Sequence, residues 1–166
     1  MDASTTVPSI GEALRYIQMS GVFYCPSYLT EPWGLALPPM DDCVWFHAVV
    51  DGVCNVEVDG ELLTLRAGDL IVVPHGTGHR AWGATETETP IVLDLPHDYI
   101  TEHYAILRHG GGGAPTNVVC GGIRFEHPAA RQLIDALPRC IHIEASRSTR
   151  ADWMRTTLDL MAEETQ

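Results

Sequence analysis

The sequence predicts a mainly β domain, with a helix ahead of an antiparallel meander and helices behind it. Three observations carry this. Residues 44–82 read as short runs of β-formers broken by tight turns. Two of the turns are Asp-Gly pairs, Asp51-Gly52 and Asp59-Gly60, the strongest short-range hairpin signal. Apolar residues at helical spacing occur near the two ends.

The first helix is predicted over Pro8 to Met19. Ser9 and Glu12 have capping-box spacing, and Ile10, Ala13, Leu14 and Ile17 share a face; Ser20-Gly21 closes it. GVFYCPSYL (21–29) reads as a strand that Pro26 places at an edge or a bulge. The meander follows as VWFHAVV, VCNVEV, ELLTLR, LIVVP and HGTGHRAW. IVLDL (91–95), YAIL (104–107) and TNVVCGGIRF (116–125) are predicted as later strands. The glycine run 110–113 matches no phosphate-binding loop and reads as a turn. His127-Pro128 opens a helix with Leu133, Ile134 and Leu137 as its apolar stripe, stopped by Pro138. Thr149 and Asp152 start another, with Trp153, Met154, Leu158 and Met161 apolar. It reaches Gln166 without a C-cap, which suggests a truncated chain, and its apolar face is expected on the barrel or across a two-fold dimer. The division expected is residues 1–126 as barrel with N-terminal helix and 127–166 as a helical segment.

Composition narrows the function classes. With 22 acidic against 10 basic side chains the net charge is −12, which repels nucleic-acid backbones and anionic membranes. No apolar run approaches the ~20 residues that span a bilayer, and the N-terminus lacks a signal peptide's basic and apolar regions. The five cysteines are widely spaced and odd in number, so they read as reduced thiols of a cytoplasmic protein.

Candidate chemistry comes from strand alternation. A two-residue hairpin at Asp51-Gly52 would set Val49 opposite Cys54 and His47 opposite Val56, placing all four on one face. The second hairpin would add Val58, Leu63 and Leu65, with Asn55, Glu57 and Thr64 pointing away. An imidazole and a thiol inside an apolar barrel need partners. The segment GDLIVVPHGTGH returns the chain with His75 and His79. His47, Cys54, His75 and His79 would together form a tetrahedral set in which thiolate favours zinc. Trp33, Trp45 and Trp82 are candidate aromatic walls for a ligand, although core packing accounts for Trp45 equally well and is the commoner role for residues such as Trp33 and Trp82.

Gly68, Pro74, Gly76 and His79 are similar to the second motif of the cupin superfamily. The first motif is partly present: His47 stands for its first histidine, Val49 replaces the second, Cys54 lies near the glutamate position and Gly60 matches the glycine. The substitutions remove ligands that iron or manganese cupins use. More narrowly, the chain resembles the N-terminal cupin domain of AraC-type transcription regulators. The resemblance runs through the first helix, EPWGLALPP (31–39), FHAVVDGVCNVEVDG (46–60), AGDLIVVPHGTGH (67–79), GGGGAPTNVVCGGIRF (110–125) and the helix after it. It implies a cupin jelly-roll barrel that senses a small-molecule effector without catalysis and forms a homodimer. DNA would be bound only through a C-terminal helix-turn-helix domain absent from this chain. The alternative is a small metal-dependent cupin enzyme of dioxygenase or isomerase type, for which the sequence offers no obvious general base; a metal-free interaction module is a third reading.

Overall fold

A computed structural model describes residues 19–126 and 128–147. The expected first helix, up to residue 18, and the helix expected from Thr149 lie outside the described residues. Met19 already belongs to a strand.

The described residues form two facing sheets. The larger contains β1 (Met19–Thr30), β3 (Cys43–Asp51), β6 (Leu70–Val73), β8 (His97–Thr101), β9 (Tyr104–Gly110), β10 (Pro115–Phe125) and β11 (Ile141–Ile143). Their order across the sheet is β11-β6-β3-β10-β1-β9-β8. The smaller contains β2 (Gly34–Leu37), β4 (Val53–Val58), β5 (Glu61–Arg66) and β7 (His79–Trp82), in the order β2-β7-β4-β5. This is the jelly-roll type of double sheet that the sequence predicted, left open rather than closed into a continuous barrel. One α-helix, α1 (Pro128–Asp135), follows β10 among the described residues.

Alternation builds the core between the sheets. Along β4, Cys54, Val56 and Val58 are buried while Val53, Asn55 and Glu57 are only partly so. The Asp59-Gly60 bend closes the predicted hairpin, with Val58 opposite Glu61. Both turn residues have positive φ, 50° and 80°, as a type I′ turn requires.

The other Asp-Gly bend departs from the prediction. β3 pairs with β6 and β10, whereas β4 pairs with β5 and β7, so Asp51-Gly52 is a corner between sheets. Gly52 sits there at φ 85°, packed so closely that a Cβ would lie 2.8 Å from Thr116 Oγ1 and 2.9 Å from the Pro115 carbonyl. His47 and Cys54 still face the same interior, now from opposite sheets.

Two further expectations change. IVLDL forms a 3₁₀ turn over Val92–Asp94, with Ile91 bridging to Ala36. Pro90 and Pro96 bracket it and withhold the amide hydrogens that an extended ladder would use. Pro26 lies inside the sheet, between β10 and β9, because the β1–β9 ladder steps from Tyr24 to Ser27 and asks no hydrogen bond of it. The glycine run is a turn as expected. It clasps the end of β1, with the Gly111 amide on the Thr30 carbonyl at 3.0 Å and the Gly113 amide on the Glu31 carbonyl at 2.8 Å.

At the opposite margin, β11 extends the large sheet by pairing with β6. Asp69 fixes this arrangement: its carboxylate accepts from the Arg66 amide at 2.9 Å and the Ala145 amide at 2.8 Å. No helix among the described residues is long and apolar enough to cross a membrane.

Candidate functional site

Register across three neighbouring strands assembles one wall. Phe23, Gly122 and Trp45 stand opposite one another on β1, β10 and β3; so do Cys25, Cys120 and His47, and next to them Ser27, Val118 and Val49. In-register residues share a face, so an imidazole and two thiols form a single row across the interior. The small sheet contributes Leu35, Leu37, Cys54, His79 and Ala81 from the other side.

The two sheets meet at His47 and His79, whose Nε2 atoms are 2.7 Å apart. His79 Nδ1 lies 2.8 Å from the Thr77 carbonyl, which can only accept, so Nδ1 carries the proton. In the neutral ring its Nε2 is then an acceptor, and His47 Nε2–H donates to it. Burial pushes His47 well below the usual histidine range, and repulsion from a charged His79 adds to this. Burial also lowers His79, against the opposing pull of the Thr77 carbonyl. The pair is therefore neutral at pH 7 and holds one directed hydrogen bond across the sandwich.

Beside it lies a cavity of about 50 Å³. Phe23, Trp33, Trp45, Leu35 and Val118 are among its walls, and Val92, Leu93 and His97 form part of its lining. Cys25, Cys54 and Cys120 also line it. Burial pushes the Cys54 thiol up to about 12. Cys120 is raised further, by burial first and then by Cys25 and Cys54, and Cys25 rises through burial despite its contact with Ser27. These thiols remain protonated at neutral pH and behave as small apolar groups.

The sequence-predicted residues divide between inside and outside. His47, Cys54, Trp33 and Trp45 line the cavity, and His79 backs it through His47. The indole Nε1 atoms of Trp33 and Trp45 have no hydrogen-bond partner among the described residues. Trp82 lies outside the cavity, on the face of β7 opposite to His79 and Ala81, where it is buried with the Arg80 guanidinium 4.8 Å from its ring centre. Arg80 itself pairs with Glu57 and Glu86 on that surface.

His75 is also outside. The loop after β6 is pinned by the Met40 amide on the Gly76 carbonyl at 2.9 Å, and the His75 ring turns toward the helical side. There its Nε2 donates to the Leu137 carbonyl at 3.0 Å. It lines an outer groove with Asp41, Asp42, Arg131 and Asp135, across which Arg131 pairs with Asp42 at 2.7 Å.

The four-ligand zinc set therefore does not fit. Two of its imidazoles converge, but His75 faces the outer groove. Cys54 is also displaced along its strand: His79 stands opposite Val58, four residues from Cys54, or ~13 Å of strand. Among the described residues no group of three or more His, Cys, Asp or Glu side chains is placed to hold a metal ion. Sequence reasoning missed Cys25 and Ser27, because only the long-range β1–β10 register brings them beside Cys120.

A family model described as Cupin (Cupin_6) matches residues 10–166. A UPF0276 protein of Streptomyces avermitilis is 29% identical over 115 residues, covering 65% of this chain and 24% of the relative. The RCS-specific HTH-type transcriptional activator RclR of Escherichia coli K12 is 24% identical over 123 residues, covering 73% of this chain and 34% of the relative. The chain thus spans about a quarter to a third of the length of these relatives. Among solved structures, Ylba from E. coli aligns over 70% of this chain and 33% of its own, with a TM-score of 0.39 and 13% identity. ToxT of Vibrio cholerae with bound unsaturated fatty acid aligns over 75% and 41%, with a TM-score of 0.42 and 7% identity. With the double sheet in place and the family match running across nearly its whole length, the chain belongs to the cupin family.

Proposed function

We propose that this cupin domain is the effector-sensing part of an AraC-type transcription regulator. The observation that carries the reading is the lined interior. The cavity is walled by both sheets, bordered by a neutral His47–His79 pair, and, among the described residues, lined by apolar side chains and thiols with the half-buried His97 as its one partly exposed imidazole. Such an interior suits binding rather than turnover. The similarity to RclR, an HTH-type transcriptional activator, supports the regulatory context. In this reading a small-molecule effector enters the cavity and shifts the population of domain arrangements by binding one more tightly than the other. DNA is contacted by a separate helix-turn-helix domain, the acidic sensor domain forms a homodimer, and the protein works in the cytoplasm.

The test uses a complete regulator containing this domain and a reporter gene. Ala81→Val, which narrows the cavity, should abolish the effector response while leaving basal DNA binding intact. An undiminished response places sensing elsewhere.

One observation favours metal capture as a second reading. A histidine that donates Nδ1–H to a backbone carbonyl, as His79 does to Thr77, is oriented as metal-binding histidines are. A zinc ion would be held by His47 and His79 in place of the hydrogen bond they now share. Elemental analysis decides it: stoichiometric zinc in the purified protein that disappears in His79→Ala supports capture, and its absence from both removes it.

A further inference from the structure

We propose that the occupant of the inner cavity is a neutral, apolar molecule of about benzene's size or smaller. The inference rests on the sensing role above and names the chemical class that the site accepts.

The lining contains no Asp, Glu, Lys or Arg side chain among the described residues. Its titratable members are His47, three thiols and the half-buried His97, whose Nδ1 lies 2.7 Å from the Leu95 carbonyl. His47 directs its Nε2–H at His79 Nε2, 2.7 Å away, and burial raises the three thiols so that they stay protonated. A carboxylate, phosphate or ammonium entering this space would lose its hydration with no Asp, Glu, Lys or Arg side chain of the lining to offset the loss. A sugar would bring several hydroxyls to a wall of Phe23, Trp33, Leu35, Val118 and sulfur, and most would go unpaired. An apolar guest gives up little hydration and gains dispersion contacts with aromatic rings and polarisable sulfur.

Size sets the second limit. An apolar protein cavity of ~150 Å³ accommodates benzene or xenon. The cavity here measures about 50 Å³, so it suits a guest of a few non-hydrogen atoms as it stands. A ring needs the lining to yield. The place to yield is the turn at Val92 and Leu93, since Leu93 is 56% exposed and the tie of this segment to β2 is at Pro90 and Ile91, ahead of it.

The experiment titrates the 166-residue chain with xenon, benzene, benzoate and benzylammonium, following the backbone amide resonances of Cys54, Val118 and Cys120. Xenon and benzene should produce saturable shifts there, and the two charged probes should produce none at equal concentration. Ala81→Val should weaken benzene at least tenfold, with the remaining spectrum unchanged as evidence of an intact fold; His75→Ala, on the outer groove, should leave benzene binding as it was. Benzoate or benzylammonium binding more tightly than benzene overturns the neutral class while leaving a sensing cavity in place. Silence from all four probes overturns the inference as well. If in addition the narrowed regulator still answers its effector, the sensing role falls with it.

Discussion

His75 and His79 are four residues apart and occupy opposite environments. His79 opens β7 and reaches across the sandwich to His47, whereas His75 sits on the preceding loop and donates to Leu137 outside. The difference arises where the chain leaves the large sheet after Val73 and enters the small one at His79. Within a strand, spacing predicts which face a side chain takes. Across a crossing between sheets, sequence neighbours part company, and main-chain anchors such as Met40 to Gly76 decide the outcome.

Chemistry that separates interior from exterior tests this contrast, beginning with the largest effect. In the native protein, N-ethylmaleimide should label the half-buried Cys140 at least ~100-fold faster than the buried Cys25 or Cys54, which need an opening of the fold. Mass spectrometry of timed samples gives the ratio, and comparable rates would mean that the inner thiols are open to solvent.

The next effect is on stability. His79→Ala leaves His47 with an unmet hydrogen bond and a void, a loss of ~2–4 kcal/mol by urea denaturation. A loss below ~0.5 kcal/mol would show that the imidazole pair contributes nothing to the sandwich.

Acid should sharpen the distinction further. In the folded state burial lowers the affinity of His47 and His79 for protons, while in the unfolded chain they titrate near pH 6.5. Below that pH the unfolded state binds more protons, so stability falls as pH drops, by up to ~1.4 kcal/mol per unit for each histidine. Above it the pair adds no pH dependence. Denaturation between pH 7 and 5 should show this slope, reduced by about half in His47→Phe; equal slopes in the two proteins contradict the assignment.

The smallest effect belongs to His75→Ala, expected within ~0.5 kcal/mol of the parent because the ring lies exposed on the groove. A larger loss would mean that the outer groove holds the fold together as firmly as the interior does.

Much of this was legible in the sequence, for identifiable reasons. Alternation gave β4 and β5 their inner faces, and the Asp59-Gly60 turn is read locally because its hairpin is closed by neighbours. The same dipeptide at Asp51-Gly52 was misread, since a corner and a hairpin use the same residues and only distant pairing with β6 and β10 tells them apart. His47 and Cys54 were placed inside for that faulty reason; the facing sheets supply a sound one. Trp33 and Trp45 were found among the cavity walls, while Trp82 was not, because its strand's phase was unknown before β7 had been paired. Cys25 went unseen: its strand is joined to Cys120 across nearly a hundred residues, a distance over which no local pattern speaks.

Asp69 gives the large sheet an unusual reach. Its carboxylate grips the Ala145 amide at 2.8 Å, while β6 runs directly beside the strand bearing His47. Residues 141–147 are thereby moored to the same girder as the imidazole, with β6 and its carboxylate clamp as the linkage. A displacement of β3 would pass through β6 to the Ile141–Ile143 strand and the Ala145 amide.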